Sequence, residues 1–163
     1  MNREDPSPEA TARRAADTMW AADRASQDLG MEIVEVGPGC ATLSMRVGEA
    51  MTNGHATAHG GYIFTLADSA FAFACNSHGL TTVAAHCSIT YIRPGRLGET
   101  LVAEAREVTR FGRSGIYDVT IRAGAEIVAE FRGHSRTVGG SFIDKTGIDK
   151  TVIDKTGIDK AGA

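Results

Sequence analysis

The sequence predicts an α+β fold in which an antiparallel sheet curls around a buried helix. One observation is an apolar run near residues 60–77 without a polar stripe, which is typical of a helix enclosed by protein. A second is a series of alternating, strand-length segments after residue 80, separated by short glycine-containing turns. Strands joined by short turns pair antiparallel, and an apolar helix needs a cover, so we expect the sheet to wrap the helix.

The first predicted element is a surface helix. An alanine-rich run from Glu9 to about Leu29 has apolar residues near helical spacing. Ser7 suits the N-cap of this helix, Pro8 its first turn and Gly30 its end. One face of the helix is expected to rest on the core.

Strands are predicted on both sides of the long helix. The sequence Gly37-Pro38-Gly39 is a hairpin signal between strands near residues 31–36 and 40–47. After the helix, the segment TTVAAHCSITYIR alternates, so the odd-numbered positions from Val83 to Tyr91 are expected to share one face. Gly79 follows the end of the helix, and three further strands are predicted near residues 98–109, 115–123 and 126–138.

Composition favours one soluble domain. The chain has 163 residues, a hydrophobic share of 42% and a net charge of −3. Proteins that coat nucleic acid or bind anionic membranes usually carry a basic face, so both classes are disfavoured. No apolar signal core and no apolar run of about 20 residues is present. Cys40, Cys75 and Cys87 form no CxxC pair and indicate reduced thiols. We therefore expect a cytoplasmic protein without nucleic-acid or membrane partners.

Three segments differ in organisation. Residues 1–8 form a polar N-terminal segment, residues 9–140 the predicted domain, and residues 141–163 a repetitive low-complexity tail. The tail sequence IDKTGIDKTVIDKTGIDK repeats a five-residue unit, a period that matches neither a helix nor a strand. We expect the tail to lie outside the fold and to have no catalytic role.

The long predicted helix contains an aspartate, Asp68, in an apolar setting. A carboxylate there is costly unless it is paired or lies in a cleft, so it either bonds a strand, faces solvent or belongs to a site. The sequence His59-Gly60-Gly61 stands where the helix begins, and a helix N-terminus presents free N–H groups. These groups could polarise a carbonyl oxygen, although the glycines could also serve packing alone. Asn53 adds a side-chain amide to the same loop.

The spacing of these residues predicts a dimer. Gly60 and Asp68 are eight residues apart, which is about 12 Å along a helix axis. A base must lie within hydrogen-bond reach of the atom on which it acts, so one chain does not bring both to one carbonyl. If both are catalytic, Asp68 meets Gly60 of a partner subunit across a two-fold axis.

The motif region is similar to a known family. The stretch NGHATAHGGYIFTLADSAFAFACNS closely resembles the signature of the hotdog-fold thioesterases, in particular the phenylacetic-acid-degradation (PaaI) type. The similarity continues through the later strands and covers roughly residues 15–140. A related hydroxybenzoyl-CoA branch carries a threonine where this chain has Ala72, which favours the PaaI type. The resemblance implies the hotdog fold, an antiparallel sheet wrapped around a long central helix.

The resemblance also implies an activity and residue roles. The reaction would be hydrolysis of an acyl-CoA thioester, with phenylacetyl-CoA and its ring-hydroxylated relatives favoured and no cofactor needed. Gly60 would donate its N–H to the thioester oxygen, Asn53 and His59 would orient that side, and Asp68 of the other subunit would activate water or attack directly. A tetramer made of two dimers is implied by the resemblance alone.

Further residues are expected to bind the substrate. The phosphates of CoA suit arginine side chains, and four arginines lie on turns at strand ends: Arg93, Arg96, Arg110 and Arg113. The acyl ring would contact Met51, Tyr62 and Phe64, each of which could equally be a core residue.

Two other functions remain open at this point. A hotdog dehydratase would need a catalytic histidine paired with an acid in a different motif. An acyl-CoA-binding or regulatory domain without turnover would most simply lack the acid, and Asp68 is present. The histidines and cysteines show no metal-ligand spacing, so no metal site is predicted.

Overall fold

The computed structural model describes residues 6–142. The remaining 21 residues of the tail, 143–163, which include all of its repeat, lie outside the described part of the chain, as do residues 1–5. The elements, in chain order, are α1 Pro8–Ala22, α2 Arg24–Asp28, β1 Glu32–Gly37, β2 Cys40–Arg46, α3 Gly60–Asn76, β3 Leu80–Tyr91, β4 Thr100–Phe111, β5 Ser114–Ala123 and β6 Glu126–Ser141.

One antiparallel sheet holds all the strands of the described region and wraps α3. The strand order is β1-β2-β4-β5-β6-β3, and each neighbouring pair is antiparallel. The helix packs Leu66, Ala70 and Phe71, all at most 1% exposed, against apolar side chains of the strands. The predicted α+β layout is confirmed, with the central helix placing its N-terminal end and Asp68 beside the last strand of the sheet, β3.

The N-terminal helix is broken, which corrects the prediction of one helix from residue 9 to residue 29. Asp23 ends α1 with a non-helical backbone, and its carboxylate accepts a hydrogen bond from the Ser26 N–H at 3.0 Å. An aspartate side chain that caps the next turn competes with continuation of the helix. The predicted start is confirmed, since Ser7 caps α1 through the N–H of Ala10.

The alternation predicted along β3 holds only in its second half. Cys87 and Ile89 pack towards the core, but Val83 is 46% exposed and Thr82 is buried. Between the pairs Ala84↔Ser135 and His86↔His134, one extra residue enters β3. Such a bulge shifts the phase of the strand by one residue, so the two halves present opposite parities to the helix.

The helix α3 is not enclosed on every side, which corrects the expectation from its composition. Gly61, Thr65, Asp68 and Ala72 lie on one stripe at spacings of three and four residues, and none of them is fully buried in a single chain. The apolar composition of the run therefore did not reveal that one face of the helix is open. Asp68 lies on that face.

The two edges of the sheet differ. β1 carries Glu32 and Glu35, has an irregular register between residues 33 and 35, and is contacted by α1. β3 is twice as long, has no Asp, Glu, Lys, Arg or Pro in its 12 residues, and pairs with β6 alone. Both edges have irregular register, but β3 lacks the charges and prolines that usually protect an edge strand, so β3 is the less protected edge.

No helix within residues 6–142 is long and apolar enough to cross a membrane.

Candidate active site

The N-terminal end of α3 presents a free backbone donor. His59 is the N-cap, and its ring Nδ1 accepts a hydrogen bond from the Gly61 N–H at 3.0 Å. The Tyr62 N–H is bonded to the His59 carbonyl oxygen at 3.0 Å. Within residues 6–142, the Gly60 N–H has no such acceptor. A helix N-terminus with one open donor can bind a carbonyl oxygen that becomes more negative.

Asn53 shapes the loop before the helix. Its side-chain oxygen accepts hydrogen bonds from the His55 N–H at 2.9 Å, and from the Thr57 N–H and hydroxyl at 3.3 and 3.2 Å. These three donors fix the orientation of the amide, whose nitrogen has no bonded partner within the described range. Ala56 adopts a left-handed backbone with φ of 57° in this loop, and such strain often accompanies a functional loop.

A cavity opens directly at Gly60. Its volume is about 350 Å³, and Gly60, Ile63, Tyr91 and the segment 92–94 contribute to its lining. The Tyr91 hydroxyl donates a hydrogen bond to the Gly60 carbonyl oxygen at 2.8 Å. A Cβ at position 60 would approach the Tyr91 ring to 3.0 Å, so a larger residue there would have to displace the ring that bonds the backbone.

Asp68 is half-buried on the open stripe of α3. Burial raises the pKa of its carboxyl, and a hydrogen bond from the Cys87 thiol partly offsets that rise. The distance from Cys87 Sγ to Asp68 Oδ1 is 3.8 Å. The neighbouring Ser69 hydroxyl is paired with the Ser26 hydroxyl at 2.9 Å and does not bond Asp68. A carboxylate with so few donors is a stronger base than an exposed one.

The strand β3 contacts both parts of the candidate site. Its residues Tyr91 and Cys87 bond Gly60 and Asp68, respectively. Four strand residues span about 13 Å, which matches the roughly 12 Å that separates eight helical residues. One chain therefore places Gly60 and Asp68 at well-separated points along the same strand.

Arg93 and Arg96, two of the four arginines predicted to bind phosphate, lie close to the cavity and to each other. The Arg93 guanidinium bonds Glu99 at 3.0 Å and Glu126 at 3.2 Å, so its charge is compensated within the chain. Arg96 pairs more loosely with Glu99 at 3.8 Å and its side chain is 69% exposed. Of the two, Arg96 has more freedom to contact a ligand.

The other two arginines lie at the opposite end of α3. Arg110 is 3.9 Å from Glu107, which bonds His78 just after the helix. Arg113 donates from Nε to the Thr137 carbonyl oxygen at 2.8 Å. The structure therefore does not bring the four arginines together within one chain.

The three residues predicted to contact the acyl group are partly buried. Met51, Tyr62 and Phe64 all pack against the core. The Met51 carbonyl oxygen accepts from the His59 N–H at 2.8 Å, and the His59 and Tyr62 rings lie 6.4 Å apart. The Phe64 ring packs edge-on against Phe131 at 5.4 Å, so Phe64 faces inward more than towards the cavity.

Two residues of the site were missed from the sequence, Tyr91 and Cys87. Both occupy the odd-numbered face predicted for β3, where a hydroxyl or thiol directed at the helix needs a partner. The alternation of β3 therefore predicted that both side chains lie on the same face of the strand. It did not predict which helix residue each of them contacts. No group of three or more His, Cys, Asp or Glu side chains suited to a metal ion occurs within residues 6–142.

Known proteins are similar to this chain in sequence and in fold. The sequence profile of the thioesterase superfamily matches residues 55–130. The acyl-coenzyme A thioesterase PaaI of Escherichia coli K12 is 42% identical over 127 residues, which are 77% of this chain and 91% of that protein. Acyl-coenzyme A thioesterase 13 of Homo sapiens is 34% identical over 112 residues, 66% of this chain and 79% of that protein.

Solved structures agree with this result. The E. coli PaaI protein from the phenylacetic acid degradation operon superposes with a TM-score of 0.81 at 41% identity, covering 83% of this chain and 99% of that one. A Streptococcus mutans protein bound to acetyl CoA superposes with a TM-score of 0.66 at 29% identity, covering 68% and 90%. The chain therefore belongs to the thioesterase superfamily, and it is an acyl-CoA thioesterase of the PaaI type with the hotdog fold.

Proposed function

We propose that this enzyme hydrolyses phenylacetyl-CoA, or its ring-hydroxylated relatives, to the free acid and CoA in phenylacetate degradation. The proposal is supported by the similarity to the E. coli protein of the phenylacetic acid degradation operon. The single structural observation that carries it is the open Gly60 N–H beside a cavity of about 350 Å³. Such a cavity is of the size that binds small organic groups. Three free cysteines favour a reducing, cytoplasmic setting.

In the proposed site, each residue has one task. The thioester oxygen binds the Gly60 N–H, while the amide nitrogen of Asn53 and the His59 ring orient the acyl group. The ionised Asp68 removes a proton from water, or its oxygen attacks the thioester carbon directly. Either route breaks the carbon–sulfur bond and releases CoA as the thiol after proton transfer to sulfur. In the direct route, water then hydrolyses the mixed anhydride to the free acid and the Asp68 carboxylate. The proposal needs no metal and no cofactor.

Substrate contacts follow from the same placement. Met51 and Tyr62 flank His59 and would contact the acyl group, whereas Phe64, which packs on Phe131, would support this wall from the core side. Arg96 would contact a CoA phosphate at the Gly60 end, with Arg93 holding the loop through its carboxylate partners. Arg110 and Arg113 would contact the CoA bound mainly by a partner subunit, since they lie at the far end of their own helix.

We propose that the active form is a homodimer with its sites at the subunit interface. β3 is an uncharged edge strand next to the open stripe of α3. Pairing of two β3 edges about a two-fold axis would place each Asp68 near the partner's Gly60 region. Two such dimers would associate as a tetramer, by similarity to the family.

The substrate proposal is tested by release of free CoA from a panel of thioesters. The panel contains phenylacetyl, hydroxyphenylacetyl, benzoyl, medium-chain and short-chain acyl-CoA. We expect the two phenylacetyl thioesters to have the highest kcat/KM. A medium-chain optimum would refute the aromatic assignment, and binding of every member without turnover would support a binding domain instead.

The shared site is tested by complementation between two impaired variants. Asp68→Asn and Asn53→Ala are unfolded together and refolded as a mixture, with each variant refolded alone as the control. Random pairing of equal amounts makes half of the dimers mixed. If Asp68 acts with the partner's Gly60 loop, each mixed dimer contains one intact site. The mixture should then recover roughly a quarter of the wild-type activity. Activity no higher than that of the separate variants would place the whole site within one chain.

The two chemical routes are separated by one turnover in oxygen-18 water with enzyme in excess. Activation of water by Asp68 puts the label into the acid product during the first turnover. Direct attack instead forms a mixed anhydride with Asp68. When water opens this anhydride at the Asp68 carboxyl carbon, the label stays in Asp68 and the first acid is unlabelled, so label in the Asp68 peptide identifies this route. Mass spectrometry of the acid and of the Asp68 peptide measures both.

A further inference from the structure

The candidate base has one side-chain hydrogen-bond donor in the described region, the thiol of Cys87. We propose that Cys87 is a positioning residue. Its thiol bonds Asp68 Oδ1, which orients the carboxylate and keeps it ionised, so that it can accept a proton from water or attack the thioester. This inference rests on the proposed function of Asp68. Its geometric basis is the 3.8 Å contact between the Cys87 Sγ and the Asp68 Oδ1.

Other donors near Asp68 are already engaged or absent. The Ser69 hydroxyl is paired with Ser26, and the Thr65 hydroxyl donates to the Gly61 carbonyl oxygen at 2.8 Å. The strands β2, β4 and β5 direct mainly apolar side chains towards α3, among them Leu43, Leu101, Val119 and Ile121, all fully buried. The contact from β3 is therefore what this chain supplies to the carboxylate.

The thiol is a donor because it keeps its proton. Burial and the adjacent negative charge of Asp68 raise the pKa of Cys87 to about 11. Cys75, the other titratable group electrostatically coupled to Asp68, has a pKa raised to about 12, mainly by burial. Both thiols are therefore neutral in the range where the enzyme works. Such a thiol is unreactive as a nucleophile, which fits a supporting role.

The bulge in β3 determines which side chain meets Asp68. Thr82 faces inward before the bulge, and Cys87 and Ile89 face inward after it. In a regular strand of the same sequence, the inward parity of Thr82 would continue to Ala84 and His86. A histidine in that position would bring a second titratable group to the base. The bulge instead presents a small neutral donor.

A direct test needs no turnover. The pKa of the Asp68 carboxyl is measured by carbon-13 NMR titration of the full-length protein, with the signal assigned by its loss in Asp68→Asn. Cys87→Ala removes the donor, Cys87→Ser keeps a hydroxyl donor, and Cys40→Ala is the matched control on β2. We expect the pKa of Asp68 to rise by roughly half a unit to one unit in Cys87→Ala. The serine variant should return it towards the wild-type value or below.

The second readout is the pH profile of kcat/KM for the best thioester of the panel. Its acid limb should move upwards in Cys87→Ala by the same amount as the NMR pKa. The serine variant should restore the limb, whereas a packing defect would lower the rate at all pH values alike. Wild type and Cys40→Ala should coincide.

The outcomes separate this inference from the proposed function. An unchanged Asp68 pKa in Cys87→Ala overturns the positioning role, even if Asp68→Asn is inactive. A shifted pKa with an unshifted kinetic limb also overturns it, because the bond then has no catalytic consequence. Full activity in Asp68→Asn refutes the proposed base itself and is seen independently of any Cys87 variant.

Discussion

Two partly buried carboxylates, Asp68 on α3 and Glu107 beside the C-terminal end of this helix, have opposite surroundings. Asp68, on the open stripe, has one weak thiol donor at 3.8 Å, and burial raises its pKa. Glu107, near the C-terminal end of the helix, is bonded by Tyr117 and His78, each at 2.7 Å. Burial alone would raise the pKa of Glu107, but these bonds and the nearby charge of Arg110 outweigh it and lower the pKa.

Other polar side chains at the C-terminal end of α3 are also engaged in hydrogen bonds. Asn76 bonds the backbone of Thr82 in both directions, at 2.8 and 2.9 Å. The Ser77 hydroxyl donates to Ala74 and accepts from the Gly39 N–H. The polar groups at this end therefore hold the hairpin, the helix and the sheet together.

The same type of side chain therefore serves stability at one end of the helix and is free for chemistry on its open stripe. A carboxylate whose lone pairs are bonded stabilises the fold and is a poor base. A carboxylate that is partly desolvated and weakly bonded is costly to the fold and is available for chemistry. Substitution of each carboxylate in turn tests whether the two groups have these different roles.

The largest expected effect is loss of activity in Asp68→Asn. Removal of the base or nucleophile should lower kcat by roughly 10²-fold or more. Thermal unfolding at neutral pH should give a Tm equal to or above that of wild type, because a neutral amide replaces a desolvated charge. A lower Tm together with lost activity would indicate that Asp68 is structural and would break the comparison.

The second effect is loss of stability in Glu107→Gln. Two charge-assisted hydrogen bonds become neutral, and the buried Tyr117 hydroxyl has a weaker acceptor, so unfolding free energy should fall by about 1–3 kcal/mol. Urea denaturation measures this change. The matched control is Glu104→Gln, an exposed carboxylate on the same strand that is 3.6 Å from Arg122; it should change stability by less than about 1 kcal/mol. Activity should stay within a few-fold of wild type.

The third effect concerns stability as a function of pH: relative to wild type, Asp68→Asn and Glu107→Gln should show opposite trends. The folded pKa of Asp68 is raised, so its contribution to stability is present below its unfolded pKa and is lost as pH rises through the folded value. The Tm advantage of Asp68→Asn should therefore be small at about pH 4 and larger at about pH 7.

The same sign argument reverses for Glu107. Its folded pKa is lowered, so its contribution is present above the unfolded pKa and is lost as pH falls through the folded value. The stability defect of Glu107→Gln should be full at about pH 7 and shrink below about pH 4. Unfolding curves of both variants across this range measure the two trends, and parallel trends would contradict the assignment.

The smallest expected effect is that of Tyr91→Phe. The ring still packs on Gly60, but the hydrogen bond to the Gly60 carbonyl oxygen is lost. We expect kcat/KM to fall by several-fold, with Tm nearly unchanged, because one bond of about 1 kcal/mol at an exposed side chain is removed. Thr90→Val, a change on the outward face of the same strand, is the control and should leave kcat/KM unaltered.

Much of the fold could be predicted from the sequence, because it depends on local patterns. Glycine-containing turns and alternation located the strands to within about three residues, and the apolar run located α3. The predictions were wrong where one side chain or one inserted residue overrides a pattern. Asp23 caps a new turn and breaks the first helix, and the bulge at Ala85 reverses the facing of β3.

The candidate site divides in the same way. The motif placed Gly60 and Asp68 on one helix with a fixed spacing, since helical rise depends on sequence separation alone. The partners Tyr91 and Cys87 are 31 and 19 residues away from the groups they bond, so no local pattern pairs them.

What the sequence by itself determined is the set of elements, the central helix and the separation between its two candidate groups. The environment of each group depends on the tertiary structure: which carboxylate is saturated with donors, which arginines are paired, and which sheet edge stays open. The physical reason is that periodicity and turn preference act over a few neighbouring residues. Burial and hydrogen-bond partners depend instead on strand register, which long-range pairing and a single bulge determine.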